Sequence, residues 1–403
     1  MIKKQKGNKT FVILLVVQIL LFQMIYPLST FCADPQTEKL TAELNSTVVQ
    51  ELDEIDFEQL DVVVEEFEKG RTNIFSINNI KEKVYSIISG ENALNYGNVL
   101  ACIFSNLIES VIKYLPMLSV IIAIGVISNL MNGIKSKFNE KSTADLIHIV
   151  FFMAVVVLVV GMMSSLASIT SNSIQSMTNQ MNVLFPILLT IMVAVGAGAS
   201  AGVFQPVVAI ISTYVADIFS YFIFPLFMLS FVFDIISNFS SSVKLDKFSS
   251  FISSLFKWAV GISFTLFFAI MSIQGISAGS FDSVSLRTTK YTIKSYVPVM
   301  GGYLSDGMDL IMSSSILIKN SVGLVGALLV LNTILSPMLE IVVCGLMLKL
   351  CSAILQPLGS GKISNFLTSC SKTLTILSTC VIAVGFMYLV SIGLVMTSSN
   401  MVL

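Results

Sequence analysis

Histidine, tryptophan and charge are scarce in this sequence. One histidine and one tryptophan occur in 403 residues, and charged residues make up 12%, about half the share usual for a soluble domain. A single histidine excludes most imidazole-based metal sites and proton relays, and no H-E-x-x-H pair can be built. No G-x-x-x-x-G-K-[ST] occurs, so no nucleotide-binding P-loop is offered. Basic residues nowhere form the stripe that nucleic-acid binding requires. Six cysteines are present, none between Asp34 and Asn98, so there is no disulfide framework. Cys344 and Cys351 could share a helix face; a pair or metal site there is weighed against the ordinary use of cysteine as a small buried apolar side chain. No cofactor or metal is expected.

What the chain has in quantity is apolar surface: 55% of its residues are hydrophobic. That fits an all-α polytopic membrane protein of eight to ten spans embedded in a lipid bilayer. The net charge of −1 averages two unlike regions. Residues 34–98 carry 14 acidic and 5 basic residues, whereas the remainder is mildly basic. Lys3, Lys4, Lys6 and Lys9 precede an apolar run from Phe11 to Leu28, the order of a secretory signal peptide over residues 1–33. An uncleaved anchor is the alternative, because 18 residues nearly span a bilayer. Either way the lysines stay cytoplasmic and the acidic segment lies outside.

Residues 34–113 read as an extracytoplasmic acidic region. Leu52, Ile55, Leu60, Val63, Val64 and Phe67 recur at helical spacing among carboxylates. Gly90 and Gly97 flank a turn. A second amphipathic stretch over 99–112, with Glu109 and Lys113 spaced to pair, is expected on the outer interface. The first two spans occupy 114–182: Tyr114–Met131, a cytoplasmic loop with Lys135, Lys137 and Lys141, and Leu146–Ser165, beside which His148 reads as interfacial. An uncharged stretch of Ser, Thr, Asn and Gln follows over 166–182.

The rest divides into membrane repeats, 183–275 and 276–403, the second copy running over 295–390 after a connecting segment. Pro186 and Pro298 are 112 residues apart, as are Pro225 and Pro337. Asp246-Lys-Phe-Ser-Ser-Phe251 matches Gly361-Lys-Ile-Ser-Asn-Phe366, and Lys257 matches Lys372. Duplicated halves are typical of transporter-like folds. Each half has three apolar blocks, and the middle ones, 206–237 and 321–356, are too long for one straight crossing of about 30 Å of hydrocarbon. A broken helix or re-entrant hairpin at Pro225 and Pro337 competes with two full spans. Counting basic residues, with Lys319 at a membrane face, does not separate the topologies.

Charged residues inside apolar blocks are the first functional candidates, since they are costly in the bilayer. They are Asp217, Asp234, Asp306, Asp309, Glu340 and Lys349. Asp306 and Asp309, with Tyr303 and Ser305, would make one hydrophilic helix facing a bundle interior or water, or a segment lying flat at an interface. Glu340 and Lys349 could form an ion pair within the bundle. Gly196, Gly198 and Gly202 read as sites of close helix packing or of a helix-ending turn before Gln205-Pro206.

Tyr296-Val-Pro-Val-Met-Gly-Gly-Tyr-Leu-Ser-Asp-Gly-Met-Asp309, Ser315-Ile-Leu-Ile-Lys-Asn-Ser-Val-Gly-Leu324 and Ala353-Ile-Leu-Gln-Pro-Leu-Gly359 resemble the stage III sporulation protein AE family. Phe204-Gln-Pro206 and the order of signal, acidic segment and polytopic region look like the same family. The resemblance implies a non-enzymatic subunit of a multiprotein complex joining mother cell and forespore. Its partners would be the other membrane proteins of that complex, and no catalytic residues are carried over. A transporter moving a small solute or ion through the duplicated core is the alternative. It predicts that Asp306 or Asp309 lines an aqueous cavity.

Overall fold

The computed structural model describes residues 37–68, 79–90, 96–135, 141–239, 246–296, 301–358 and 361–398. The signal segment 1–33, Lys137 and Lys244 lie outside them. All elements among the described residues are helical: α1 Thr37–Glu54, α2 Glu58–Glu68, α3 Ile80–Ile88, α4 Tyr96–Lys135, α5 Lys141–Ala194, α6 Gly198–Asp217, α7 Phe224–Phe239, α8 Asp246–Tyr296, α9 Gly301–Leu355 and α10 Gly361–Ser398. A π-helical turn, Ile218–Ile223, joins α6 to α7. A boundary between Thr47 and Val48, inside α1, separates two units. The first is described only as helix from Thr37; the second holds every later element.

The acidic region forms three short helices rather than one. Asp56 ends the run by accepting the Glu58 N–H at 2.9 Å, and Phe57 starts α2. Val48, Leu52, Phe57, Leu60 and Val64 form the buried face, continued by Ile80 and Val84 of α3. The packing partners of α2 and α3 are α5 and α9. Asp61 of α2 accepts the Ile80 N–H at 3.2 Å and so caps α3, which Gly90 closes with φ of +72°. Gly97 lies inside α4 rather than beside a turn.

Among the described residues, six helices are long and apolar enough to cross a membrane, by length and composition: Val99–Met131, Ile149–Ala194, Thr213–Phe239, Lys247–Ser272, Gly307–Leu355 and Gly361–Ser398. The chain is thus an all-α multi-pass membrane protein, with six candidate crossings among the described residues where eight to ten are expected from the sequence. Segments expected to be separate join end to end. The stretch 99–112 continues into Tyr114–Met131 as the 40-residue α4. Its inward stripe is Asn106, Ser110, Tyr114, Leu118, Ile121, Gly125 and Ser128, while Leu100, Phe104, Ile108 and Ile112 face outward. The polar stretch 166–182 is helical throughout α5. Thr170, Ser173, Ser176 and Thr178 each donate to the carbonyl four residues back, at 2.8–2.9 Å. Hydroxyls satisfied on their own helix do not break it.

The long middle blocks are continuous as well. Pro337 sits within an uninterrupted α9 of 55 residues, about 80 Å at the usual rise, well over twice the hydrocarbon thickness. At Pro225 the chain instead inserts the π turn, with Phe224 donating to the Phe219 carbonyl. Widening the helix just before proline accommodates its missing N–H and its bulky ring. Neither proline makes a hairpin.

The six long rods run alternately. Phe152 near the start of α5 meets Phe239 at the end of α7 and Phe366 near the start of α10, with ring centroids 6.1 and 5.4 Å apart. Leu355 at the end of α9 fills the space over Gly125 of α4. Helix ends bearing Lys135, Lys141, Lys247 and Lys362 therefore gather at one end of the bundle. Close approach is made at Gly323, Gly326 and Gly385. An added Cβ would lie 2.2 Å from Leu184 at Gly326, 2.0 Å from Ile334 at Gly385 and 2.5 Å from Met396 at Gly323.

Candidate functional site

Among the described residues, several groups of polar side chains enclosed by the bundle join different helices. On α9, Glu340 pairs with Lys113 of α4 and accepts the Tyr114 hydroxyl at 2.6 Å. Glu340 thus engages Lys113, while Lys349 is exposed nine residues further on. Parallel packing of α4 against α9 brings Glu340 to Lys113, whereas the helix turn carries Lys349 outward.

Asp234 of α7 is 5% exposed, and accepts from Ser249 of α8 at 2.8 Å and Thr373 of α10 at 2.5 Å. Three helices thereby meet at one carboxylate. Asp217, by contrast, is exposed at the end of α6, beside the π turn.

Midway along α5, Gln180 and Thr333 of α9 exchange hydrogen bonds at 2.9 and 3.2 Å. Thr178 lies 3.0 Å from the buried Tyr388 hydroxyl of α10. The uncharged polar stretch thus fixes the register of three helices, because a buried polar pair left mismatched costs more than an apolar one.

The α5–α6 junction resolves the glycine cluster. Gly196 has φ of +86°, with Ala197 N–H on the Met192 carbonyl and Gly196 N–H on that of Val193, a Schellman closure of α5. An added Cβ would meet Leu286 at 2.7 Å. Gly198 and Gly202 have open space before them and line a groove of about 560 Å³ with Asn182, Pro186 and Gln205. They neither pack closely nor stop a helix, and α6 begins before Gln205-Pro206. The first turn of α6 is capped from outside by Asp282 of α8, 2% exposed, whose oxygens accept the Ala199 and Ser200 N–H groups at 3.0 Å. Negative charge at a helix N-terminus is favourable. Asp282 went unnoticed in the sequence because its cap lies 82 residues away.

On the first half of α9, Asp309 pairs with Lys290 of α8. Ser314 and Ser315 donate to Glu51 at 2.7 and 2.9 Å. Lys319 is 0% exposed and donates to the Met396 carbonyl of α10 at 2.7 Å. The side chains of Asp306, Tyr303 and His148 lie outside the described residues.

A hydrolase pattern, G-x-S-x-G, occurs at Gly198–Gly202 and Gly275–Gly279. Both lie inside helices, and the nucleophile elbow needs a strand-to-helix turn. Ser200 is buried beneath the cap. The five cysteines among the described residues are free thiols, and Cys344 lies 3.0 Å from the Met162 sulfur. No group of three or more His, Cys, Asp or Glu side chains able to hold a metal occurs among the described residues.

The family model described as stage III sporulation protein AE matches residues 78–399. The chain is 25% identical over 321 residues to a protein of Bacillus subtilis (strain 168) named stage III sporulation protein AE, covering 80% of each. No solved structure matches the chain.

Proposed function

Because the chain belongs to the stage III sporulation protein AE family, we propose that it is a non-enzymatic membrane subunit of a transenvelope sporulation complex. In this reading it sits in the mother-cell membrane facing the forespore and is required for late forespore development. The family match carries the sporulation role, since it extends over every candidate membrane span. The membrane character rests on the six apolar helices. Deleting the gene and counting heat-resistant spores tests it. A sharp drop restored by the intact chain is expected; normal sporulation without it contradicts the role.

The orientation follows from charge. With the helix ends bearing Lys135, Lys141, Lys247 and Lys362 in the cytoplasm, the acidic helices α1–α3 and Arg287 and Lys290 lie outside. A groove of about 540 Å³ between α1, α2 and α3 is lined by Asp53, Glu54, Asp56, Glu58, Asp61 and Glu65 with Lys81. It offers a membrane partner an anionic face. Deleting 34–98 should reduce recovery of partner proteins with the tagged chain; unchanged recovery counts against docking there.

The duplication belongs to the same proposal. Its support is that Ser249 and Ser364, three residues into matched segments, each bond back to the preceding helix. A transporter moving a small solute or ion is the competing reading. Against it, Asp234, Asp309 and Glu340 are each engaged by side chains of other helices. Neutralising Asp309 should leave spore counts near normal, and a complete loss with protein still present would favour transport.

A further inference from the structure

Helix α9 carries two adjacent serines that bind one carboxylate. The Ser314 hydroxyl donates to one oxygen of Glu51 at 2.7 Å and Ser315 to the other at 2.9 Å. Both serines are buried, at 0% and 2% exposure. Adjacent helical residues point about 100° apart, so a single group reaches both only by bridging them with two acceptors. Glu51 is held there by its own helix: Val48 and Leu52 on either side of it are buried.

The next turn of α9 holds a second element of the fold. Lys319 follows Ser315 by four residues, on the same face, and is wholly buried. Its ammonium donates to the Met396 carbonyl at 2.7 Å. That carbonyl belongs to the last turn of α10, which ends at Ser398 and whose final carbonyls have no partner within the helix. A cation at this end also complements the helix dipole. One turn further on, Gly323 leaves room for the Met396 side chain. The same stretch of α9 therefore holds the acidic N-terminal helix through serines and the end of the chain's last helix through lysine.

We propose that Ser314 and Ser315 form a carboxylate-binding site on α9, filled by Glu51, and that by fixing this stretch of α9 the site also steadies the C-terminal end of α10 held by Lys319. The occupant is the chain's own helix, so the Val48–Glu54 end of α1 is a fitted part of the bundle rather than a solvated tail. Releasing α1 loosens the last turn of α10.

Hydrogen–deuterium exchange of the purified full-length chain in detergent reads both ends of this link. Glu51→Ala should speed exchange of peptides covering 48–54 and 392–398 by at least about tenfold, the scale of a hydrogen bond to a charged group. Peptides around Asp234 should not change. Glu51→Gln, which keeps one acceptor oxygen, should fall between. Replacing Ser314 and Ser315 together by Ala should reproduce Glu51→Ala. Lys319→Met should speed 392–398 most; if it disturbs the peptides around Asp234 as well, the half-buried Glu51 variants decide alone. Unchanged exchange at 392–398 in Glu51→Ala would overturn the proposal.

Discussion

Glu340 of α9 accepts the phenolic hydrogen of Tyr114 of α4 at 2.6 Å while pairing with the neighbouring Lys113. The helix α4 packs on α5 and α9, so this contact is a main polar tie of the first candidate span to the bundle. Glu340 is the shielded partner, with 14% of its side chain exposed against 51% for Lys113. Removing the carboxylate should therefore cost more than removing the amine. Glu340→Ala is expected to destabilise the chain by about 2–3 kcal/mol, Tyr114→Phe by about 1 and Lys113→Ala by about 1 or less. Thermal unfolding in detergent, with the Lys113–Glu340 double-mutant cycle, measures the order.

The glycines divide into two classes that substitution separates. At Gly326 and Gly385 an added Cβ would lie 2.2 and 2.0 Å from neighbouring side chains. Alanine there should cost about 1–3 kcal/mol by overpacking. Gly202 lies inside α6 with nothing within 4 Å, so Gly202→Ala should be neutral or stabilise by up to about 1 kcal/mol through helix propensity. Gly196→Ala should cost at least about 1 kcal/mol, from the left-handed backbone and the approach to Leu286. Melting temperatures of the four variants give the comparison.

Asp282 should behave as the N-cap of a helix to which it does not belong. Asp282→Ala removes the acceptor of two N–H groups and should cost about 1–2 kcal/mol. Exchange should rise at 198–202 and leave the end of α7 unchanged. Asp282→Asn should retain part of the effect, because its amide oxygen still accepts one bond.

Gln180 and Thr333 should be worse apart than absent together. Gln180→Leu or Thr333→Val alone strands a buried partner, at about 1–3 kcal/mol. The double variant should cost less than the sum of the two singles, read from the same unfolding curves. Additive losses would mean that the two side chains do not act as a pair.

Much of this architecture is legible in the sequence because a hydrophobic run and its length are local properties. The described parts of the apolar blocks are helical apart from short turns, and the spacing of Leu52, Leu60 and Val64 marks a face that is buried. What escapes is decided by distant residues. Ser, Thr and Gln over 166–182 carry no sign of their partners until α9 and α10 supply Thr333 and Tyr388. Lys319 resembles a loop charge because its compensating carbonyl belongs to a helix 77 residues further on. Gly198 and Gly202 suggest packing by type alone, whereas a glycine's use depends on what stands opposite it. Proline is ambiguous for the same reason: Pro225 is met by a π turn and Pro337 by ordinary helix.

The central claim is that each long middle block crosses the membrane once, so that three helical hairpins share one face. Accessibility of single cysteines in a chain without its native cysteines tests this most directly. Replacements at Lys135, Lys247 and Lys362 should react with an impermeant maleimide only after the membrane is opened, and Tyr291, 73% exposed, should react in intact cells. Labelling of position 247 in intact cells, with 135 still protected, would contradict the account.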